Sequence, residues 1–318
     1  MQIMTHQHTK ELDVFYNEHK NNCTCCGLAF TDGMCVHLGY LANREHAVLC
    51  DNCAEQLHET VARYRWSQDP YERPLPHEKL WRYMDVAKFI SLLSTESLYF
   101  ASASSFDDPY EGAKGVFERK EKWDSFYRQF FRYAVMTIPG ADPKKMKEEE
   151  IEAQAQRLLL EMESLASIER KHTYISCWHS NSYESEAMWK LYAVNIKNAI
   201  AIQTTTQNLY EALDKSPSIK IGKINYIDYQ KQFAPVNGSF WYKRKSFEHE
   251  KEVRAVLKNF ECENNGIYVP VNVEKLITQI HISPYAPEWF VDVIHSITEK
   301  YKISKPILYS EMNATPFY

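Results

Sequence analysis

The chain has 318 residues, of which 44% are hydrophobic and 25% charged, as is ordinary for a soluble globular protein with one large or two smaller domains. Its formal net charge of −5 does not favour polyanion binding by the chain as a whole. No apolar run approaches the roughly 20 residues of a membrane span, and the N-terminal segment lacks the apolar core of a signal peptide, so we expect a cytoplasmic protein with no membrane partner.

The N-terminal part of the chain is rich in cysteine, with six of the eight cysteines between positions 23 and 53. In a reducing cytosol this clustering favours a metal site over disulfides. The spacing Cys23-x-x-Cys26 recurs as Cys50-x-x-Cys53, and two such pairs supply four thiolates in a tetrahedral arrangement, which suits Zn²⁺. We predict a closed structural zinc site with these four ligands. Other residues nearby could replace a ligand or hold a second ion: Cys25, Cys35, His37 and His46.

The zinc-binding module is predicted to span residues 1–66, with flanking helices over 5–20 and 54–66. It contains five Lys and Arg against eight Asp and Glu, a net charge of −3, and four thiolates would add more negative charge. Because phosphate binding needs a positive surface, a protein partner or a stabilising role is favoured over nucleic acid, which stays open. The segment 67–79 holds three prolines among polar residues and is predicted as a linker to a second domain, 80–318.

The second domain opens with a short apolar run over 80–83, predicted as a strand that carries Arg82. Asp85 precedes apolar residues at helical spacing, which predicts a helix with Asp85 as its N-cap. A further apolar run over 98–101 leads into a loop over 102–112 that is dense in Ser, Asp and Pro. A charge inside an apolar strand needs a partner or a ligand to offset its desolvation, so Arg82 is a candidate site residue.

The rest of the domain alternates strands and helices, and two long helices are inserted between strands of a mixed sheet. An aromatic stripe from Trp123 to Ala134 has helical spacing and is expected to be core. The predicted helices cover 118–134, 144–171, 188–192, 209–213 and 287–300. The predicted strands cover 173–178, 199–203, 219–227, 253–257, 267–271, 279–283 and 306–309. The pattern indicates an α+β fold preceded by the small zinc module.

Several blocks of this domain resemble the family called domain of unknown function 2971, whose members are bacterial and phage proteins. The first block runs from LWRY at 80–83, through the helix, to FDDPYEG at 106–112. The others are ISCW at 175–178, MWKLYA at 188–193 and FEHEKEVR at 247–254. The resemblance covers about 80 to 310 and implies a bacterial or phage origin without naming a chemistry.

A second resemblance, to the ADP-ribosyltransferases, rests on three short motifs in order. Arg82 lies on the first strand of the domain, Ser176 on a middle strand, and Glu250-Lys251-Glu252 enters a late strand. This order is similar to the Arg–Ser–Glu pattern of those enzymes. The resemblance implies a split-sheet, ADP-ribosyltransferase-like fold, NAD as substrate, transfer of ADP-ribose to an acceptor, and a role as a toxin or defence effector.

The chemistry of NAD cleavage explains why these residue types are needed. The bond between nicotinamide and ribose breaks through an oxocarbenium-like state, whose positive charge a nearby carboxylate stabilises. Glu252 is predicted to be that carboxylate, and Arg82 to bind the pyrophosphate. Ser176 would orient Glu252 and the ribose, and Glu250 would activate the acceptor. Three aromatic residues are candidates to stack on the nicotinamide: Tyr83, Trp189 and Tyr192.

Structural roles for the same residues stay open at this stage. Arg82 could form a buried ion pair with Asp107, Asp108 or Glu252. Glu250 and Glu252 alternate with basic residues, as an exposed strand end often does. Together, however, a buried Arg, a Ser and paired acids in this order favour a site.

Two other classes of function are carried as alternatives. One is a non-catalytic binding or adaptor protein that contains zinc. The other is a metal-dependent nuclease, because Asp108, Glu118 and Lys120 follow one another with a spacing that could hold Mg²⁺. That motif needs its Glu and Lys on a strand, whereas here they are predicted to open a helix.

Overall fold

The computed structural model describes residues 21–31, 34–65, 69–137, 146–193, 195–216 and 218–318, with the backbone alone at residues 62, 64 and 65. The helix predicted over 5–20 lies outside these residues. The chain divides into two compact units, which are Met1–Pro70 with Asp214–Ser218 (unit 1) and Tyr71–Leu213 with Ile219–Tyr318 (unit 2). The domain boundaries expected from the sequence, at 66 and 80, stay a prediction.

The elements of the described residues are numbered in chain order. The strands are β1 Cys35–Tyr40, β2 His46–Cys50, β3 Glu59–Arg65, β4 Lys79–Asp85, β5 Ser97–Ser102, β6 Thr173–Ser180, β7 Ala199–Thr205, β8 Ile219–Lys223, β9 Asn225–Ile227, β10 Tyr242–Arg244, β11 Glu252–Lys258, β12 Gly266–Pro270, β13 Gln279–Ile282 and β14 Ile307–Tyr309. The α-helices are α1 Val86–Thr95, α2 Lys120–Thr137, α3 Glu148–His172, α4 Glu186–Tyr192, α5 Thr206–Ala212, α6 Val273–Leu276 and α7 Glu288–Lys300.

Unit 1 contains a three-stranded antiparallel sheet in the order β2-β1-β3. The helix predicted over 54–66 is wrong. A short 3-10 helix, Asp51–Gln56, is followed by β3, which pairs with the free edge of β1. Thr60 and Val61 in β3 are β-branched and suit a strand, and the pairing satisfies backbone groups of β1 that a helix would leave without partners.

Unit 2 is built on a nine-stranded mixed sheet. Its main path runs β12-β5-β6-β4-β7-β13-β14, and β11 adds to β6 and carries β8. All pairs are antiparallel except β13 with β14. The predicted α+β class with a mixed sheet is confirmed, as is the insertion of two long helices, α2 and α3, between β5 and β6.

The sheet splits at β6. Along one edge, residues 173–179 of β6 pair with β11. Along the other edge, β5 pairs with Tyr174 and Ile175, whereas β4 pairs with His179 and Ser180. Residues 176–178 lie between these two pairings and belong to neither, so a gap opens between β4 and β5.

Helix α1 follows β4 as its sequence predicts. The Asp85 side chain accepts a hydrogen bond from the Lys88 backbone N–H at 2.9 Å, which confirms Asp85 as the N-cap. The apolar positions Phe89, Leu92 and Leu93 are buried in the main core, where they pack against the sheet. The packed helix therefore sets the path of the chain from the end of β4 to the start of β5.

The aromatic stripe of α2 is only partly core. Trp123 and Tyr127 are half-buried, whereas Phe126 and Phe130 are 63% and 54% exposed. A two-helix insertion covers one side of each helix, so an aromatic stripe wider than that contact leaves its margin in solvent. No helix in the described part of the chain combines the length and the apolar character needed to cross a membrane.

Candidate functional site

Arg82, in the middle of β4, extends its side chain into the split of the sheet. Nη1 donates a hydrogen bond to Oγ of Ser176 at 2.5 Å, and Nη2 donates one to the carbonyl oxygen of Tyr99 at 3.3 Å. The guanidinium carbon lies 5.5 Å from the centre of the Trp178 ring, within cation–π range. Arg82 thus links β4 to β6 and β5 across the gap.

The charge of Arg82 is not neutralised by the acids expected as its partners. Asp108 pairs with Arg244 at 2.9 Å, Glu252 pairs with other cations, and within the described residues Arg82 has no ion pair with a carboxylate. Burial lowers the pKa of Arg82 from its ordinary value, although a guanidinium stays protonated. A desolvated cation without a carboxylate beside it favours the binding of an anion.

The split opens into a cleft of unit 2 with a volume of about 820 Å³, within the usual range for a small-molecule or cofactor site. Both charged residues expected to meet at a site, Arg82 and Glu252, line this cleft. Glu250 and two of the candidate stacking residues, Tyr83 and Tyr192, line it as well. The structure thus brings five of the predicted site residues to one cavity.

Two predicted site residues do not line the cleft. Trp189 is fully buried in a core cluster, where its indole N–H donates to Glu184 at 3.0 Å, so it is not placed to stack on a ligand. Ser176 is also buried, and its hydroxyl bonds Arg82 instead of Glu252. On β6 it opposes Ala255, which is three positions from Glu252. Because this number is odd, the alternation of the strand places the Ser176 and Glu252 side chains on opposite faces.

Glu252 stands in a buried network of charges at the start of β11. Its Oε1 accepts from Nε of Arg254 at 2.7 Å, and its Oε2 accepts from Nζ of Lys243 at 3.1 Å. Arg254, which is completely buried, also forms a two-point ion pair with Glu111, at 2.5 and 2.8 Å. The exposed strand end considered from the sequence is therefore wrong for this part of the chain.

Glu250 belongs to the same network. It accepts a hydrogen bond from the Tyr192 hydroxyl at 2.6 Å and a second from Nζ of Lys243. Three carboxylates, Glu111, Glu250 and Glu252, thus share two cations, Lys243 and Arg254. With all five side chains ionised, the formal charge of the network is −1.

Lys243, Arg254 and Glu111 were not identified as site residues from the sequence. The sequence placed Glu111 in the loop over 102–112, in which Asp108 accepts a hydrogen bond from the Tyr110 backbone N–H at 3.0 Å. Gly112 follows Glu111 with φ +75°, and its Cα approaches the Phe240 ring so closely that a Cβ would clash at 2.4 Å. This tight turn aims Glu111 inward, and the DPYEG motif is the signal that could have indicated it.

The environment of Glu252 predicts an unusual titration. Burial alone raises the pKa of Glu252, but Arg254 and Lys243 outweigh burial and lower the pKa to about 2. A carboxyl whose pKa is lowered in the folded state stabilises the fold at pH values above its ordinary pKa of 4.5. This contribution to stability is lost as the pH falls toward about 2. We expect the ¹³C NMR signal of its carboxyl carbon, assigned by its loss in Glu252→Gln, to stay unchanged at pH 4.5. A midpoint near 4.5 would contradict the proposed electrostatics.

Unit 1 carries the four cysteines of the predicted zinc site in one cluster. Their Sγ atoms all lie within 4.8 Å of one another, and Cys26 and Cys50 are 3.8 Å apart. A tetrahedral ion with Zn–S bonds of about 2.3 Å places sulfurs roughly 3.8 Å apart, so the group fits a metal of this kind. Gly27, with φ +71°, closes the first knuckle, and its N–H donates to the Cys23 carbonyl at 2.9 Å.

The protein environment shifts the pKa values of these thiols in different directions, because burial raises those of Cys50 and Cys53 whereas hydrogen bonds lower that of Cys23. Burial raises the pKa of Cys23, but backbone N–H groups of neighbouring cysteines outweigh it and lower the pKa to about 6. One of these donors is the Cys50 N–H, 3.4 Å from the Cys23 sulfur. Two of the alternative ligands are engaged elsewhere, since Cys25 donates to Gln56 and His46 packs against Tyr40.

Comparison with known proteins gives few matches. No family model matches the chain, and no curated protein matches it. Three solved structures of DarT from Thermus sp. 2.9, in complex with ADP-ribosylated ssDNA, with carba-NAD⁺ and with NAD⁺, are similar with TM-scores of 0.34, 0.33 and 0.35. Their identities are 9%, 9% and 8%, and the matches cover 76%, 75% and 76% of this chain and 96%, 97% and 100% of theirs. The resemblance to domain of unknown function 2971 stays a prediction.

Proposed function

We propose that unit 2 binds NAD, cleaves its bond between nicotinamide and ribose, and transfers ADP-ribose to an acceptor. One observation carries this proposal. Arg82, a guanidinium with no carboxylate partner among the described residues, and Glu252, a buried carboxylate held ionised, line the same cleft of about 820 Å³. The substrate would bring an anion to Arg82. It would also bring a developing positive charge to Glu252, which Lys243 and Arg254 already hold in place.

Arg82 is suited to bind the pyrophosphate. A guanidinium has five N–H donors, and two hydrogen bonds to protein atoms orient it while leaving donors free for a ligand. Its planar fork matches phosphate oxygens at two points, which a lysine cannot do. We therefore assign Ser176 the role of holding Arg82 in place, instead of the role of orienting Glu252 and the ribose that the sequence predicted.

Glu252 is suited to stabilise the transition state. Breaking the C–N bond sends its electron pair to nicotinamide, which leaves as a neutral molecule, and positive charge develops on the ribose. A fixed carboxylate in a site away from water stabilises this charge more than it stabilises the substrate. Lys243 and Arg254 orient Glu252 and keep it ionised, because they lower its pKa despite burial.

Glu250 is suited to act on the acceptor. The acceptor atom forms a bond to the ribose C1′ and loses a proton, which must pass to a base. Glu250 lines the cleft, and the hydrogen bonds from Tyr192 and Lys243 hold its carboxylate next to Glu252. The class of acceptor, whether protein or nucleic acid, is part of the test below.

The decisive experiment follows nicotinamide release by the purified full chain, with protein and nucleic acid acceptors from a lysate. We expect release by the wild type and a loss of about 100-fold or more in Glu252→Gln, the usual cost of removing a charged group from a transition state. Glu274→Gln is the matched control, because Glu274 pairs with Lys305 and does not line the cleft. Thermal unfolding of each variant checks that the fold is retained.

A separate binding measurement distinguishes the alternatives. We expect Arg82→Lys to weaken NAD binding tenfold or more in calorimetry, because a lysine cannot reproduce the two-point contact. NAD binding without release would favour the non-catalytic binding protein, an outcome consistent with Lys243 bonding both Glu250 and Glu252. The absence of both NAD binding and nicotinamide release would end the proposal.

The nuclease alternative receives no structural support. Lys120 opens α2 and forms ion pairs with Asp124 and Glu163, while Asp108 pairs with Arg244. In the described part of the chain, the groups of side chains that could hold a metal ion are both in unit 1. We therefore do not place Mg²⁺ chemistry in unit 2.

A further inference from the structure

A second group of potential metal ligands lies in unit 1, on the face of the sheet that does not face the unit's core. Cys35 and His37 occupy alternate positions of β1, so their side chains share a face, while Val36 between them is buried in the core. Val36 pairs with Cys50, so Asp51, the next residue, lies opposite Cys35. The ligand atoms of Cys35, His37 and Asp51 all lie within 4.8 Å of one another.

Two of the ligand atoms lie near the separation that they would have around a bound metal ion. Nε2 of His37 and Oδ1 of Asp51 are 2.6 Å apart. A tetrahedral ion with Zn–N and Zn–O bonds of about 2.1 Å places the two atoms about 3.4 Å apart. They would need to separate by less than about 1 Å, and the Asp51 side chain, which is 56% exposed, has room to do so.

A positive group already lies against these three side chains. Nε of Arg63, on β3, donates to the Cys35 sulfur at 2.8 Å, and its Nη2 is 3.7 Å from Oδ1 of Asp51. Arg63 directly opposes His37 in the register of β1 and β3, so all four side chains meet on one face. This contact shows that the group attracts a cation. Because the Arg63 side chain is 65% exposed, it can move into water at little cost.

We propose that Cys35, His37 and Asp51 form a second metal site, which takes a divalent ion of intermediate softness such as Zn²⁺ and displaces Arg63 into solvent. One sulfur, one nitrogen and one oxygen ligand suit Zn²⁺ better than Mg²⁺ or Ca²⁺, which prefer oxygen. Three protein ligands leave a fourth position for water or for an incoming ligand. The site therefore differs in kind from the closed group of four thiolates, and it does not depend on the function proposed for unit 2.

The test uses the full chain, freed of metal and then saturated with Cd²⁺ or Zn²⁺. We expect two ions per chain by mass spectrometry and two ¹¹³Cd NMR signals, the one from four sulfurs shifted far downfield of the other. Cys35→Ser should remove one ion and the upfield signal alone. Cys25→Ser, which changes a thiol outside both groups, should keep both ions. If Cys35→Ser does not fold, Asp51→Asn, at an exposed side chain, serves the same purpose.

Arg63→Met gives a second, independent readout. Removing the competing cation should strengthen binding of the second equivalent of Zn²⁺ about tenfold and leave the first equivalent unchanged. One ion per chain in the wild type, or two ions of unchanged affinity in both Cys35→Ser and Asp51→Asn, would overturn the proposal. Loss of both ions in the folded Asp51→Asn variant would also overturn it, because the two sites would then not be independent.

Discussion

Replacing Arg254 by Met is expected to lower the free energy of unfolding of unit 2 by about 3–5 kcal/mol. Arg254 is completely buried and is the ion-pair partner of both Glu111 and Glu252. Methionine fills a similar volume but leaves two buried carboxylates without this cation, and an uncompensated buried charge is costly. Urea unfolding followed by tryptophan fluorescence measures the effect, since six of the seven tryptophans lie in unit 2.

Two further variants show whether the loss comes from charge. Arg157→Met changes an arginine whose side chain is 70% exposed on α3, and we expect a change of less than about 1 kcal/mol. Combining Arg254→Met with Glu111→Gln removes one of the stranded charges and should recover part of the lost stability. Equal losses for the single and the double variant would show that packing, and not the ion pair, accounts for the effect.

Treatment with a chelator is expected to unfold the sheet of unit 1, because we expect its four clustered cysteines to hold structural zinc. The described core of this unit is small, with nine buried residues of which three are cysteines of the cluster itself, and a domain of this size usually needs a metal or disulfides. Structural zinc contributes apparent binding free energies of about 10–16 kcal/mol at neutral pH, comparable to the whole stability of a domain. After treatment with a chelator, amide hydrogen exchange in β1, β2 and β3 should approach that of an unfolded chain, while unit 2 stays protected.

Neighbouring cysteines supply a matched control for this result. Cys26→Ser removes one of the four clustered sulfurs, and we expect it to reproduce the effect of the chelator. Cys25→Ser changes the adjacent residue, whose thiol donates to Gln56 and lies outside the cluster, so exchange should remain as in the wild type. Unchanged exchange after chelation, with no zinc released, would show that the cluster is not a structural metal site.

Features that depend on local spacing could be predicted from the sequence. Asp85 was identified as an N-cap because capping involves only a polar residue and the backbone N–H groups of the helix that follows it directly. The two Cys-x-x-Cys pairs were identified for the same reason, since each turn fixes its own thiolates. The error over 54–66 has the opposite cause, because β3 forms only when the edge of β1 is available to pair with it.

The partners of the charged side chains depend instead on how distant segments meet. Glu111 and Arg254 are 143 positions apart in the chain, and Arg82 and Ser176 are 94 apart. A hydrophobic pattern predicts that β11 is a strand, but the register of β11 against β6 decides which of its residues face the cleft. The order of amino acids therefore indicated which residue types a site would need, such as Arg82 and Glu252. Sheet pairing brought them to one cleft. This arrangement could not be predicted because long-range ion pairs leave no periodic signal in a single sequence.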